Sequence, residues 1–190
     1  INDILDLSKI KSGKMEIVNV SYETGELFSE IVNMIWIKAK EKGLEFRLHI
    51  DPSIPSMLCG DEVRIKQVLI NLLNNAVKYT SEGSVTLSVR CEHLTLNRVR
   101  VCYSVEDTGL GVKKENIPHL FNAFKRVDEK KNRHIEGTGL GLNIVQQLVE
   151  LMDGEISVNS VYTKGSTFLV TLEQDIVDDT EIGTFTLASR

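Results

Sequence analysis

Apolar residues recur along the chain at two spacings, one typical of helices and one typical of strands. Steps of three and four residues predict helices over about 1–11, 27–43, 61–80, 117–121 and 139–152. Alternation of apolar and polar residues predicts strands over about 17–20, 44–50, 84–91, 99–106, 155–160 and 166–172. Prolines predict a loop over 51–55, and Thr163-Lys164-Gly165 favours a hairpin between the last two strands. Because helices and strands do not alternate strictly, we expect an α+β fold: a two-layer α/β sandwich whose mixed sheet is covered by helices on one face.

The same pattern divides the chain into three parts. Residues 1–12 have a helical period without a capping sequence before it, which indicates the end of a longer helix. Residues 13–174 read as one domain. Residues 175–190 are acidic and poorly patterned, which leaves a linker, a C-terminal extension or an ordered edge segment open.

Composition narrows the class of protein. The chain has 190 residues, 42% of them hydrophobic, which is enough for one good core. Lys and Arg number 22 against 27 Asp and Glu, a net charge of -5, so nucleic acid is not an expected partner. Three widely spaced cysteines suggest reduced thiols, and no apolar run is long enough to span a membrane. We therefore expect a cytoplasmic domain, although a membrane segment of the full-length protein could lie upstream.

Two amides and a cation share one face of the helix that begins at Asp61. Asn71, Asn75 and Lys78 lie within one polar stripe opposite the apolar one. An amide oxygen suits Mg²⁺ and an ammonium group suits phosphate, whereas ordinary surface residues remain the alternative.

Two glycine phrases indicate a nucleotide. Asp107 closes a predicted strand just before Gly109 and Gly111, where its carboxylate could accept a hydrogen bond from the adenine amine, unless it belongs to an ordinary turn. The second phrase, Gly137-Thr138-Gly139-Leu140-Gly141-Leu142, opens a helix, whose free N–H groups suit an anion. Neither phrase matches a dinucleotide fingerprint or a P-loop. The charged residues between them, about 125–136, form either a solvated loop or a lid over a triphosphate.

These motifs together resemble the catalytic ATP-binding domain of sensor histidine kinases, in the GHKL (Bergerat-type) superfamily shared with DNA gyrase B, the large heat-shock ATPase chaperones and MutL. Residues 61–80 resemble the N box, Asp107 to Gly111 the G1 box, 121–124 the F box and Gly137 to Leu142 the G2 box. Residues 1–10 resemble the end of the second helix of the dimerisation and phosphoacceptor domain, which makes 13–174 the catalytic domain. The acceptor His motif of that domain is missing from the sequence, and Asn143 stands where the family frequently has Ala.

The resemblance implies a role for each matching residue. Asn75 would bind Mg²⁺, Asn71 would assist the phosphates, and Lys78 and Tyr79 would contact phosphate or nucleotide. Asp107 would read adenine with the support of Thr167, and Arg133 or Lys131 would reach the terminal phosphate. The pocket itself would be shaped by the glycine phrases, namely Gly109, Gly111, Gly137, Thr138, Gly139, Leu140 and Gly141.

The resemblance also implies partners. The γ-phosphoryl group of ATP would pass to a His on the chain's own dimerisation domain, and from there to an Asp of a response regulator receiver domain. This piece alone is expected to be monomeric and the full-length protein to be a homodimer. The alternatives are an ATP hydrolase of the gyrase or chaperone branch, and a degenerate nucleotide-binding interaction module. The hydrolase is disfavoured because such enzymes have a Glu one turn before the Mg²⁺-binding Asn, where this chain has Asn71.

Overall fold

The computed structural model describes residues 2–122 and 141–185, and these form one mixed sheet with helices. The helices are α1 (Asn2–Lys11), α2 (Thr24–Glu41), α3 (Glu62–Lys78) and α4 (Gly141–Leu151), with a 3-10 helix at Lys114–His119. The strands are β1 (Val20–Glu23), β2 (Glu45–Ile50), β3 (Pro55–Gly60), β4 (Ser84–Thr95), β5 (Arg98–Asp107), β6 (Glu155–Val161) and β7 (Gly165–Glu181). No helix of these two stretches is both long and apolar enough to cross a membrane.

The strand order is β1-β3-β7-β5-β4-β2, and β6 also pairs with β7. Among the strands of the described residues, β2 and β4 run parallel and the other neighbours are antiparallel. The sheet is therefore mixed, as the sequence pattern predicts. The β6–β7 hairpin is also confirmed, since Val161 pairs with Gly165 across a short turn.

Strand β7 has 17 residues and joins the two halves of the sheet. One of its edges pairs with β5 over residues 166–175. Its other edge pairs with β6 over 165–171 and then with β3 over 175–181, so β6 and β3 follow one another along it. Residues 175–181, for which the sequence left a linker or an ordered segment open, thus continue the sheet.

Helices cover one face of the sheet, as expected. In β5, Val99, Val101, Tyr103 and Val105 are buried, whereas the residues between them are less so. Helix α3 lies against α2 on one side and α4 on the other and contacts β4 and β5. Its apolar stripe, including Leu69, Leu72 and Leu73, is almost completely buried in the core between the two layers.

The sequence misplaces one strand and misses another. The first strand begins at Val20, not near 17. Residues 55–60 form β3 between β1 and β7, whereas the sequence predicts a loop up to Pro55 and no strand between that loop and α3. Pro55 is the first residue of its strand, a position at which the absence of an N–H group does not interrupt the ladder.

Two polar contacts fix the N-terminal end of α3. One carboxylate oxygen of Asp61 accepts a hydrogen bond from the Arg64 amide at 3.1 Å, so Asp61 caps α3 at the predicted start of the helix. Its other oxygen accepts from the Val18 amide at 2.9 Å. Helix α1 is attached nearby, since Gln67 donates to Asp6 at 2.7 Å and Leu7 is buried.

Candidate nucleotide-binding site

The C-terminal half of α3 carries the predicted amide pair. Asn71 is partly buried, and its amide nitrogen has no hydrogen-bond partner in the part of the chain that the structure describes. Asn75 is also partly buried, and within the same residues its side chain makes no hydrogen bond. Lys78, one turn further on, is exposed. A polar ligand beside this helix would find a buried donor, a free amide and a cation.

Helix α3 ends in a turn that contacts the first glycine phrase at Gly109 and Leu110. The Tyr79 amide donates to the Asn75 carbonyl at 3.0 Å and closes α3. The next residue, Thr80, is completely buried, and its hydroxyl group has no partner among residues 2–122 and 141–185. Sequence reasoning does not assign a role to Thr80. No local signal predicts its burial, because the residue that lies against it, Gly109, is distant in sequence.

Asp107 is the last residue of β5 and is held from both sides. It pairs with Val85 of β4 and Ser166 of β7, and only 9% of its surface is exposed. One carboxylate oxygen accepts a hydrogen bond from the Gly109 amide at 2.9 Å. Burial raises the pKa of the Asp107 carboxyl group, and the backbone N–H groups of Gly109 and Ser166 lower it in part. The group is therefore a buried acceptor that still has capacity for a donor.

Gly109 lies where the Asp107 turn meets the end of α3. A Cβ atom at this position would come within 2.3 Å of the Tyr79 carbonyl oxygen and 2.8 Å of the Thr80 hydroxyl oxygen. It would also lie 3.0 Å from the Asp107 carboxylate. In addition, the Leu110 amide donates to the Tyr79 carbonyl at 3.3 Å. The structure thus brings Asp107, Gly109 and Tyr79 together.

The β6–β7 hairpin supports the other end of the first glycine phrase. Gly111 has a φ of +70°, and a Cβ there would lie 2.4 Å from the Val161 carbonyl oxygen. The Thr163 amide donates to the Leu110 carbonyl at 2.6 Å. Thr167 follows Ser166, the partner of Asp107, and pairs with Glu106. Thr167 is therefore next to the strand end that holds Asp107.

Helix α4 begins at Gly141, around which a Cβ atom would meet nothing within 4 Å. Two residues later, the side-chain amide nitrogen of Asn143 donates to the Phe121 carbonyl at 2.8 Å. The side-chain oxygen of Asn143 is buried and unpaired among the described residues. The Phe121 ring packs edge-on against Phe168 at 6.3 Å between centroids. These contacts join the start of α4 to the end of the 3-10 helix segment.

Six predicted site residues lie outside the described residues. They are Lys131, Arg133, Gly137, Thr138, Gly139 and Leu140. Their roles, like the roles of the other site residues, stay predictions.

The arrangement suits a ligand with an amine at one end and anionic groups at the other. A buried carboxylate lies beside the Gly109 turn, and the amides and Lys78 follow along α3. Among the described residues, no group of three or more His, Cys, Asp or Glu side chains could hold a metal ion. A divalent cation here would have to depend on amide oxygens and on the ligand's own oxygens.

Comparison with known families agrees with this geometry. The family model described as histidine kinase-, DNA gyrase B-, and HSP90-like ATPase matches residues 60–176, which is more than half of the chain. The chain therefore belongs to this family of ATPases, and the resemblance found in its sequence motifs is confirmed.

Named relatives give a finer comparison. Hybrid signal transduction histidine kinase B of Dictyostelium discoideum is 38% identical over 180 residues, covering 95% of this chain and 9% of that protein. Signal transduction histidine-protein kinase BarA of Escherichia coli (strain K12) is 35% identical over 176 residues, covering 93% of this chain and 19% of that protein. The crystal structure of full-length ShkA in complex with AMPPNP has a TM-score of 0.78 at 29% identity, covering 93% of this chain and 35% of that one. The chain thus spans a small part of each relative.

Proposed function

We propose that this chain is the ATP-binding catalytic domain of a two-component histidine kinase. It binds Mg²⁺-ATP and donates the γ-phosphoryl group to a His on a dimerisation domain outside these residues. The observation that carries the proposal is the buried Asp107 carboxylate, held beside Gly109 and the end of α3. The family match and the relatives named as histidine kinases support it, as does the AMPPNP complex of ShkA.

The Asp107 carboxylate reads the adenine amine in this proposal. One of its oxygens is occupied by the Gly109 amide, which fixes the orientation of the carboxyl group. A nucleobase that presents an amine there gains a charge-assisted hydrogen bond, whereas a base that presents a carbonyl places two acceptors together. Because the group is buried, the mismatch is not relieved by water.

The phosphates extend from there along α3 towards Asn71, Asn75 and Lys78. The residues fit a Mg²⁺-bound polyphosphate because the Asn71 amide nitrogen is buried without a partner in the described chain, and the Asn75 amide is free there. Asn75 would hold the ion through its amide oxygen, and Asn71 would donate to a phosphate oxygen. When bound, Mg²⁺ would neutralise charge on the phosphates during transfer. Lys78, Arg133 and Lys131 would balance the remaining charge.

Phosphoryl transfer is favoured over hydrolysis by the chemistry of Asn71. This side chain lies one helical turn before Asn75, and a carboxamide cannot take a proton from an attacking water. A histidine acceptor does not need a base at that position, since its imidazole nitrogen attacks phosphorus directly. The P–O bond to the β-phosphate breaks, a P–N bond forms, and ADP leaves with the bonding electron pair.

The partners follow from this reaction class. The phosphohistidine would be relayed to an Asp of a response regulator receiver domain. Helix α1 would be the end of a dimerisation helix of a homodimer, which accords with its exposed Ile4 and Leu5. The domain would act in the cytoplasm, where ATP is available, and the full-length protein would be anchored in the inner or plasma membrane if a span lies upstream.

The test uses radiolabelled ATP and the purified chain. Binding is first measured with Mg²⁺ and with a chelator, and tighter binding with Mg²⁺ is expected. Incubation with γ-labelled ATP then leaves the chain unlabelled, whereas an added dimerisation domain with its acceptor His acquires acid-labile label. The same domain with His replaced by Gln is the control. Label on the chain itself, steady release of inorganic phosphate without transfer, or no binding of ATP would refute the proposal.

A further inference from the structure

Lys42 connects the end of α2 to the end of α3. It is the residue directly after α2, and its ammonium group donates to the carbonyl of Val77 at 2.6 Å and of Lys78 at 2.8 Å. Both carbonyls belong to the last turn of α3, where no following amide within the helix is available to pair with them. Lys42 therefore satisfies, from another helix, two acceptors at the helix end.

The turn that Lys42 holds is the turn that enters the candidate site. Lys78 is its last helical residue and Tyr79 follows it. The Tyr79 carbonyl accepts from the Leu110 amide and lies against Gly109, next to the Asp107 carboxylate. A shift of this turn would move the Lys78 side chain and loosen the contact between α3 and the first glycine phrase.

Electrostatics gives Lys42 a second effect. Carbonyl groups at the C-terminal end of a helix carry partial negative charge, which an ammonium group offsets. Hydrogen bonds with a charged donor are stronger than neutral ones. Partial burial lowers the pKa of the Lys42 ammonium group. One turn earlier, Lys38 donates to Asn74 at 2.9 Å, so α2 contacts the end of α3 at two levels.

We propose that Lys42 is a positioning residue for nucleotide binding: it fixes the last turn of α3, so that Lys78 and Tyr79 are held in place for the phosphate end of the ligand. The inference rests on the proposed function, since it assigns Lys42 an effect on that same site. It acts through Lys78 and Tyr79 and not by contact with nucleotide. Its signature is a loss of affinity for ATP that exceeds the loss for adenosine, because Asp107 is also held by the pairing of its strand with β4 and β7, whereas Lys78 and Tyr79 belong to the end of α3.

The experiment compares Lys42→Met with Lys40→Met, a matched control on α2 whose ammonium group lies 5.6 Å from the Trp36 ring centroid. Dissociation constants are measured for Mg²⁺-ATP and for adenosine. We expect Lys42→Met to weaken ATP binding about fivefold or more relative to adenosine, while Lys40→Met leaves the ratio unchanged. Lys42→Arg, which keeps a charged donor, is expected to restore the ratio. If Lys42→Met does not fold, the ratio is measured for Lys42→Gln.

Amide hydrogen exchange separates this inference from the proposed function. In the nucleotide-free protein, Lys42→Met is expected to speed exchange at Tyr79 and Leu110, whose amides close the helix and join it to the glycine phrase. If the wild-type chain does not bind ATP, the proposed function fails, and exchange alone then decides whether Lys42 fixes the turn. An unchanged ATP-to-adenosine ratio in a folded Lys42→Met, or unchanged exchange, would overturn the inference.

Discussion

Asp107 ends its strand with one carboxylate oxygen bonded to the Gly109 amide and little exposure to water. In Asp107→Asn, the amide oxygen would keep the Gly109 bond, and the amide nitrogen would then face the adenine amine. Two donors would meet in a buried place, which costs about 1–3 kcal/mol. We therefore expect a loss of ATP affinity of about 5- to 150-fold in a calorimetric titration, with the far-UV circular dichroism unchanged.

The neighbouring residue provides a matched control. Glu106 precedes Asp107 on the same strand but is exposed. Glu106→Gln removes the same charge one residue away and should leave ATP affinity within about twofold, since screened surface charges contribute little. Equal losses for the two variants would indicate a general charge effect and remove Asp107 from the adenine role.

The raised pKa of Asp107 predicts a pH dependence of stability. The folded protein binds this proton more tightly than the unfolded chain, so the contribution of Asp107 to stability is highest below the ordinary Asp pKa and is lost as the pH rises through its raised value. Urea unfolding of the nucleotide-free wild type and Asp107→Asn over a pH series isolates this group. The free energy of unfolding of wild type minus that of Asp107→Asn should decrease as the pH rises. A difference that is flat or increases would contradict the assignment.

Residue-level prediction from sequence succeeds where local pattern and position coincide. The position of Asp107 at a strand end is predicted correctly because strand alternation ends at it and glycines follow, which is a local signal. Thr80 is missed because its burial depends on Gly109, a residue distant in sequence. Lys42 is missed for the same reason, since the carbonyls that it binds belong to another helix. Contacts between segments that are distant in sequence do not appear in the periodicity of apolar residues along the chain.

Gly165 is the glycine at which the β6–β7 hairpin comes closest to the Asp107 backbone. Gly165 has a φ of +130°, and a Cβ atom there would lie only 2.0 Å from the Asp107 carbonyl oxygen. Gly165→Ala should therefore cost at least about 2 kcal/mol in the free energy of unfolding, from backbone strain and a backbone clash. It should also weaken ATP binding, because the strand end that carries Asp107 must shift.

Gly25 of α2 serves as the control for that substitution. It has an ordinary φ, and a Cβ atom there would meet nothing within 4 Å. Gly25→Ala should be neutral or stabilising by up to about 1 kcal/mol, because Ala has the higher helix propensity and its Cβ would meet open space. Urea denaturation measures both variants. If Gly165→Ala were as stable as Gly25→Ala, the contact between hairpin and turn would not be a constraint.

Elements with their own periodicity are predicted well, and elements that depend on partners are not. Helix α3 has a complete apolar stripe and a capping Asp61, and it forms where expected. Strand β3 has neither regular alternation nor a proline-free start, yet it forms because β1 and β7 provide hydrogen bonds on both sides. Residues 175–181 are acidic and form a strand for the same reason.

Strand β7 continues beyond residue 174, at which the sequence predicts the end of the domain. Shortening the chain at that residue should therefore destabilise the whole sheet. Such a chain would lose the pairing of β7 with Leu58 and Cys59 and the contact of Phe185 with the Phe28 ring. It would also expose an edge of β3, which favours aggregation. We expect a chain of residues 1–174 to unfold at a lower urea concentration than one of residues 1–185. The difference in the free energy of unfolding should be about 3 kcal/mol or more.

The chain of residues 1–185 is the reference because it retains every strand pairing. Both chains are compared by circular dichroism and by gel filtration at several protein concentrations. Equal midpoints of unfolding would place the end of the domain at 174 after all. A lower midpoint with concentration-dependent association would extend the domain through β7.

The long strand β7 also sets the order in which the molecule can assemble during synthesis. β1 and β3 leave the ribosome early, but the partner that ties β3 to the rest of the sheet is separated from it by more than a hundred residues. Pairing over such a distance is slow, because a large loop must close first. β1 and β3 can pair with each other, but the other edge of β3 therefore stays unpaired until residues 175–181 emerge. That interval is when a chaperone that covers exposed strand edges would matter most.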